Sequence, residues 1–150
     1  MVVCGHKWEL VCGCVLVAHL FTGTYSRSLD SKNRVLVPSD LRDALDASDR
    51  KGLYLIPTKT CVALWPRSDL EAYAASQGAD PFGNLKFNRA FYSQMIFKTF
   101  DGTGRIVIPG ELAERFPDRE VLIAGVGRHL EAWHPADFET AMASDPLDLG

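Results

Sequence analysis

The sequence lacks a cationic excess: sixteen Lys and Arg stand against nineteen Asp and Glu, for a net charge of −3. A histone-like mass of positive charge is excluded, so any contact with nucleic acid must come from a local patch. It also lacks an apolar run of the roughly 18–20 residues that a membrane span needs. The longest, Leu10 to Phe21, is shorter and includes His19. Cysteine is scarce beyond residue 19: of four, Cys4, Cys12 and Cys14 precede that point and Cys61 alone follows. A single cysteine forms no intrachain disulfide, which suits a reducing cytoplasm. What the 150 residues do have is a globular composition, 47% hydrophobic and 23% charged, enough for one domain or two small ones.

Residues 1–19 read unlike the remainder. A signal peptide would want a positive n-region and a small-residue cleavage site, but Lys7 is offset by Glu9 and His-Leu-Phe follows the apolar run. Cys4, His6, Cys12, Cys14 and His19 are metal-ligand types, yet Cys-x-Cys without a second spaced pair is a weak signal. The expectation is an extension that is disordered or that results from a mis-annotated start, with no metal site.

The body of the chain is a tandem repeat. Leu29-Asp-Ser-Lys-Asn-Arg-Val-Leu-Val-Pro-Ser-Asp-Leu41 aligns without gaps to Phe100-Asp-Gly-Thr-Gly-Arg-Ile-Val-Ile-Pro-Gly-Glu-Leu112, 71 residues on. A second block, Trp65 to Glu71, recurs 68 residues on as Trp133 to Glu139. The boundaries that follow are a first repeat at 20–73, a linking loop and helix at 74–91, a second repeat at 92–142 and a tail at 143–150. In each copy a short strand leads to Asp30 or Asp101. Three turn formers come next, then a buried β run (Val35 to Val37, Ile106 to Ile108) stopped by Pro38 or Pro109. Short helices are expected at Ser39 to Leu45 and Gly110 to Phe116, hairpins at Leu53 to Trp65 and Val121 to Trp133, and a closing helix in each copy. Ser68-Asp-Leu-Glu71 has the form of a capping box, and Asn84 to Gln94 reads as the linking helix. One copy has too little core to stand alone, so the two are expected to share one as a pseudo-twofold barrel, α+β and mainly β.

The repeated Asp-x-x-x-Arg turn carries the most chemical information. Asn33 and Gly104, just before each arginine, suit the positive φ of a tight turn. As plain structure, Asp30–Arg34 and Asp101–Arg105 are salt bridges across the mouth of a hairpin. As function, each aspartate orients an arginine toward a phosphate or a guanine edge. Pseudo-symmetry would bring Arg34 and Arg105 to one face, with Arg27 and Lys32 near by. Charge is segregated to match: residues 84–105 carry four cations against one carboxylate, and 106–150 carry three against nine. Enzyme signatures are weak. Thr99 stands where the phosphatase-like Asp101-Gly-Thr would need an aspartate, Val107 stands where a dinucleotide loop would want its third glycine, and His129 and His134 have no Ser or Cys partner near by in sequence. Trp65 and Trp133 read as core. The chain is expected not to be an enzyme and to need no cofactor.

Phe21-Thr-Gly23, Leu29-Asp-Ser-Lys-Asn-Arg34 with Pro38, and Phe100-Asp-Gly-Thr-Gly-Arg-Ile-Val-Ile-Pro109 together resemble the MraZ family of bacterial transcriptional regulators, over residues 20–142 or so. The resemblance implies a tandem swapped-hairpin AbrB-like barrel with short flanking helices, assembled as a ring-shaped homo-oligomer. It implies binding to repeated boxes in promoter DNA, usually of the protein's own operon in the division and cell-wall gene cluster. It also implies a cytoplasmic, nucleoid-associated location without membrane contact, and DNA contacts at Arg34 and Arg105. Arg27 and Lys32 add phosphate contacts, while Asp30, Asp101, Asn33 and Gly104 shape the turns. The alternative is an AbrB-like protein-interaction module, an antitoxin or scaffold with weak nonspecific DNA binding. Two departures stand out: Asn33 occupies a position where the family usually has glycine, and Leu20 precedes Phe21-Thr-Gly23 where the family begins with methionine. A UUG start codon would be read as leucine at that position.

Overall fold

The computed structural model describes residues 20–76 and 85–144. The expected extension at 1–19, most of the linking loop and the last residues of the tail lie outside the described residues. The first copy contains β1 (Thr24–Ser28), β2 (Arg34–Leu36), α1 (Ser39–Asp43), a 3-10 turn (Ala47–Asp49), β3 (Gly52–Pro57), β4 (Val62–Trp65) and α2 (Arg67–Ser76). Then comes α3 (Leu85–Tyr92). The second copy contains β5 (Ile96–Thr99), β6 (Arg105–Val107), α4 (Gly110–Ala113), β7 (Glu120–Gly125), β8 (Leu130–Trp133) and α5 (Pro135–Ser144). The architecture is mixed α+β with antiparallel strands, as the repeat pattern implies.

Strand exchange joins the copies. The six-stranded sheet runs β1-β7-β8-β4-β3-β5, so the first strand of each copy completes the hairpin of the other. The sheet is not closed; β1 and β5 are its edges. The two exchanged pairings share one register: Ser28 lies opposite Glu120 and Arg27 opposite Val121, while Thr99 lies opposite Gly52 and Lys98 opposite Leu53. A matching bond seats each strand end, from Leu29 N–H to the Arg119 carbonyl and from Phe100 N–H to the Lys51 carbonyl. The remaining strands, β2 and β6, pair with each other as a two-stranded ribbon.

One core lies between the ribbon and the sheet. Val35 and Ile106 point from the ribbon into it and are fully buried, as are Leu53, Leu55, Leu64, Ile123 and Leu130 from the sheet. Leu41, Leu45, Leu112 and Phe116 close it from the segments that follow each proline. Fully burying each such side chain contributes about 1.5–3 kcal/mol. Either copy alone would present half of this surface to water.

Several local expectations need correction. The ribbon strands are not continuous buried runs: Leu36 and Val107 turn outward between inward-facing neighbours, and both strands end one residue early. The helices α1 and α4 also end before Leu45 and Phe116. There the chain tightens into i→i+3 bonds, from Leu45 N–H to the Arg42 carbonyl and from Phe116 N–H to the Ala113 carbonyl. The capping box does not form. Ser68 lies inside α2, and its backbone N–H and hydroxyl donate to the Asp49 carboxylate at 3.4 and 2.6 Å. Asp49, 6% exposed, therefore caps the helix from nineteen residues away.

Candidate nucleic-acid interface

Each Asp-x-x-x-Arg segment folds as a turn bonded to its own aspartate. Asn33 N–H donates to the Asp30 carbonyl and Asp30 N–H to the Arg34 carbonyl, with the same pair of bonds between Gly104, Asp101 and Arg105. The residue before each arginine has positive φ, 61° at Asn33 and 92° at Gly104, as their residue types predict. Arg42 packs on the second of these turns. Its guanidinium lies against Gly104, where an added Cβ would come within 2.3 Å of Cζ. In the repeat alignment the residue equivalent to Arg42 is Ala113.

The aspartates are densely hydrogen-bonded. Oδ1 of Asp30 accepts the backbone N–H of Lys32 and Arg34, and Oδ2 accepts Arg34 Nε at 2.6 Å. Oδ1 of Asp101 accepts the N–H of Thr103 and Arg105 together with the Thr103 hydroxyl, and Oδ2 accepts Arg105 Nε at 3.0 Å. The arginines also cross the pseudo-twofold axis: Arg34 Nη1 lies 3.8 Å from Asp101 and Arg105 Nη1 lies 3.5 Å from Asp30. Two cations and two carboxylates thus form one ring. Bonding through Nε fixes the plane of each guanidinium and leaves its outer edge as the donor surface.

The backbone N–H of Arg34 does most to lower the Asp30 pKa. Partial burial opposes it, the Arg34 guanidinium and the Lys32 N–H reinforce it, and the net result is about 2. The corresponding Arg105 N–H leads the effects that hold Asp101 well below the usual carboxylate range. A carboxylate whose folded pKa is depressed adds stability above its unfolded value and loses it as pH falls through the folded one. Thermal unfolding followed by circular dichroism is therefore expected to show Tm falling between pH 4 and about pH 2 as the turns protonate. The Asp30→Asn, Asp101→Asn double variant should be less stable at neutral pH and show a shallower decline. An equally steep decline in that variant would assign the acid sensitivity elsewhere.

The other predicted residues are placed differently from one another. Lys32 is exposed at the tip of the first turn. Arg27 lies on the half-buried face of β1, outside the ring, with its guanidinium 5.8 Å over the Tyr25 ring and Nη1 donating to the Ser26 carbonyl. Sequence reasoning missed two cations that do support the turns. Arg119 donates from Nη2 to the Asp30 carbonyl, and Arg42 donates from Nε to the Val37 carbonyl at 2.9 Å. The positive φ of Arg119, 66°, lies at the end of a local turn closed by its N–H on the Phe116 carbonyl, and its side chain then reaches a residue 89 positions away.

Elsewhere, His129 stacks on Trp65 with centroids 4.1 Å apart and faces Glu131 at 3.3 Å. His134 faces Asp118 at 3.2 Å. Trp65 and Trp133 are 9% and 8% exposed and pack in small clusters beside the main core. Among the described residues no cluster of three His, Cys, Asp or Glu side chains has metal-site geometry, and no helix is long and apolar enough to cross a membrane.

Exchanged strands that complete each other's hairpins, with paired Asp–Arg turns on a shared ribbon, define a tandem swapped-hairpin protein of the AbrB-like class. A profile of the family described as "MraZ protein, putative antitoxin-like" matches residues 20–89 and again 91–147. The chain is 35% identical over 128 residues to a protein from Variovorax paradoxus named Transcriptional regulator MraZ, which covers 83% of this chain and 89% of that relative. Proteins of the same name from Cupriavidus taiwanensis and a Roseiflexus species are 34% and 30% identical, over 79% and 83% of this chain and 85% and 88% of theirs. The chain belongs to the MraZ family.

Proposed function

We propose that this chain is a sequence-specific DNA-binding transcriptional regulator rather than an enzyme. It acts as a ring-shaped homo-oligomer on repeated promoter boxes of its own operon in the division and cell-wall gene cluster, in the cytoplasm at the nucleoid. The observation that carries this reading is the ring of Asp30, Arg34, Asp101 and Arg105, which sets two guanidiniums in fixed planes on the solvent side of one ribbon. The names of the relatives support it. Arg34 and Arg105 read or clamp DNA, and Lys32 and Arg27 contribute phosphate contacts. The ring itself is charge-neutral, so one protomer binds weakly. Several protomers on spaced boxes raise the effective concentration of each for its site, which reconciles DNA binding with an acidic chain.

Fluorescence anisotropy of the full chain on its own upstream promoter fragment, against a scrambled fragment at two salt concentrations, tests this. The expected result is a preference of about 4 kcal/mol or more for the promoter. Equal, salt-sensitive binding to both would reject a sequence-reading regulator. It would favour the second reading, which the words "antitoxin-like" in the family description support: a module that captures a protein partner in a stable complex, with weak nonspecific DNA binding.

A further inference from the structure

The ribbon face that carries the two arginines also carries two aliphatic side chains. Side chains alternate along β2 and β6, so Val35 and Ile106 enter the core while Arg34, Leu36, Arg105 and Val107 share the opposite face. Leu36 and Val107 are each 38% exposed. They occupy equivalent positions in the two copies, and each stands directly across the ribbon from an arginine: Val107 opposite Arg34, and Leu36 opposite Arg105. A single exposed aliphatic residue needs no explanation. Two related by pseudo-symmetry, each paired with a guanidinium, form a patterned surface.

We infer that Leu36 and Val107 are specificity-determining residues that contact the C5 methyl groups of thymines in the DNA major groove. This rests on the DNA-binding reading above and deepens it. The major groove, about 12 Å wide, admits a two-stranded β-ribbon, and thymine's methyl is the apolar group on the base edges displayed there. An aliphatic side chain donates and accepts no hydrogen bonds, so that methyl is the group it can select. Directly opposed side chains on a ribbon have Cβ atoms about 4.5–5.5 Å apart, and successive base pairs rise about 3.4 Å. The thymine that Val107 touches therefore lies within a base step or two of the base facing Arg34, and Leu36 repeats the relation beside Arg105. Hydrogen-bond complementarity favours DNA as the occupant of this face, since the aliphatic pair is flanked by two oriented guanidiniums, whose planar donor forks match the acceptor edge of guanine.

Replacing thymine by deoxyuridine removes only the methyl group and tests this without altering the protein. On the promoter fragment, the full chain is expected to bind the uracil form about fourfold more weakly for each methyl it reads, the equivalent of burying one CH2-sized group. The Leu36→Ala, Val107→Ala double variant should bind both forms within about twofold of each other while keeping the wild-type dependence on salt. Equal wild-type affinity for the two forms, with promoter preference intact, overturns the inference and leaves the regulator reading standing. No preference for promoter over scrambled DNA overturns the regulator reading itself. Light scattering after size exclusion separates the remaining case: a variant that falls to a smaller species while keeping its thymine preference assigns the aliphatic pair to contacts between copies.

Discussion

Replacing Arg34 and Arg105 together by alanine is expected to bring promoter affinity down to the level of scrambled DNA. A bidentate arginine–guanine contact discriminates by about 1–3 kcal/mol, so losing two removes about 2–6 kcal/mol. That is comparable to the lower part of the usual gap between specific and nonspecific binding. Salt dependence tells what the arginines touch. If they read bases, the slope of log K against log salt stays near its wild-type value. If they clamp phosphates, it flattens by about 0.9 for each. The Arg34→Lys, Arg105→Lys variant sharpens the comparison, because lysine keeps the charge but loses the planar fork. It should retain nonspecific binding while losing promoter preference. Removing both guanidiniums also leaves Asp30 and Asp101 facing each other, so Tm must be measured beside affinity. Unchanged promoter affinity in a folded double-alanine variant would defeat the assignment of these arginines.

Phe116→Ala should have the largest effect on stability, about 3–5 kcal/mol. Phe116 is 1% exposed and is the largest of the fully buried side chains among the described residues. It sits just beyond α4, where i→i+3 bonds hold the backbone in place and limit collapse around the cavity. Urea unfolding should show a lower midpoint with little change in slope. Leu45 is the equivalent residue of the first copy, and Leu45→Ala should cost about 2–5 kcal/mol by the same mechanism. Both side chains belong to one cluster spanning the two copies, so each variant should still unfold in a single transition. Two separated transitions would show that the copies fold as independent units.

Much of this was legible in the sequence because its signals are local or duplicated. The gapless repeat through Asp30 and Asp101 located the turns, and Asn33 and Gly104 announced their backbone conformation. An aliphatic run ending at a proline located the ribbon, although not the outward turn of Leu36 and Val107. The pairing of β1 with β7 and of β5 with β3 was implied by resemblance to a family, since periodicity alone does not say which hairpin a strand will complete. The cap on α2 escaped because Asp49 reaches it through the tertiary fold, and Ser68-Asp-Leu-Glu71 carries a local pattern that the chain does not use. Arg42 and Arg119 escaped for the same reason: one is recognisable only once Gly104 lies beneath it, the other only once its carbonyl receives Leu29. Within the site, residue types were predictable and cross-axis partners were not.

The exchange of first strands has an evolutionary consequence. Two separate polypeptides trading strands in this way would form a homodimer, and any substitution would appear on both sides of the axis. Joined in one chain, the halves are free to drift apart without losing their mutual support. The two turns differ in this chain: Asn33 against Gly104, Lys32 against Thr103, Arg42 against Ala113. A symmetric dimer is matched to a palindrome. If the chain binds DNA as proposed, two unequal turns on a fused pair would suit an asymmetric box with a direction, which would orient each protomer along the DNA as well as place it there.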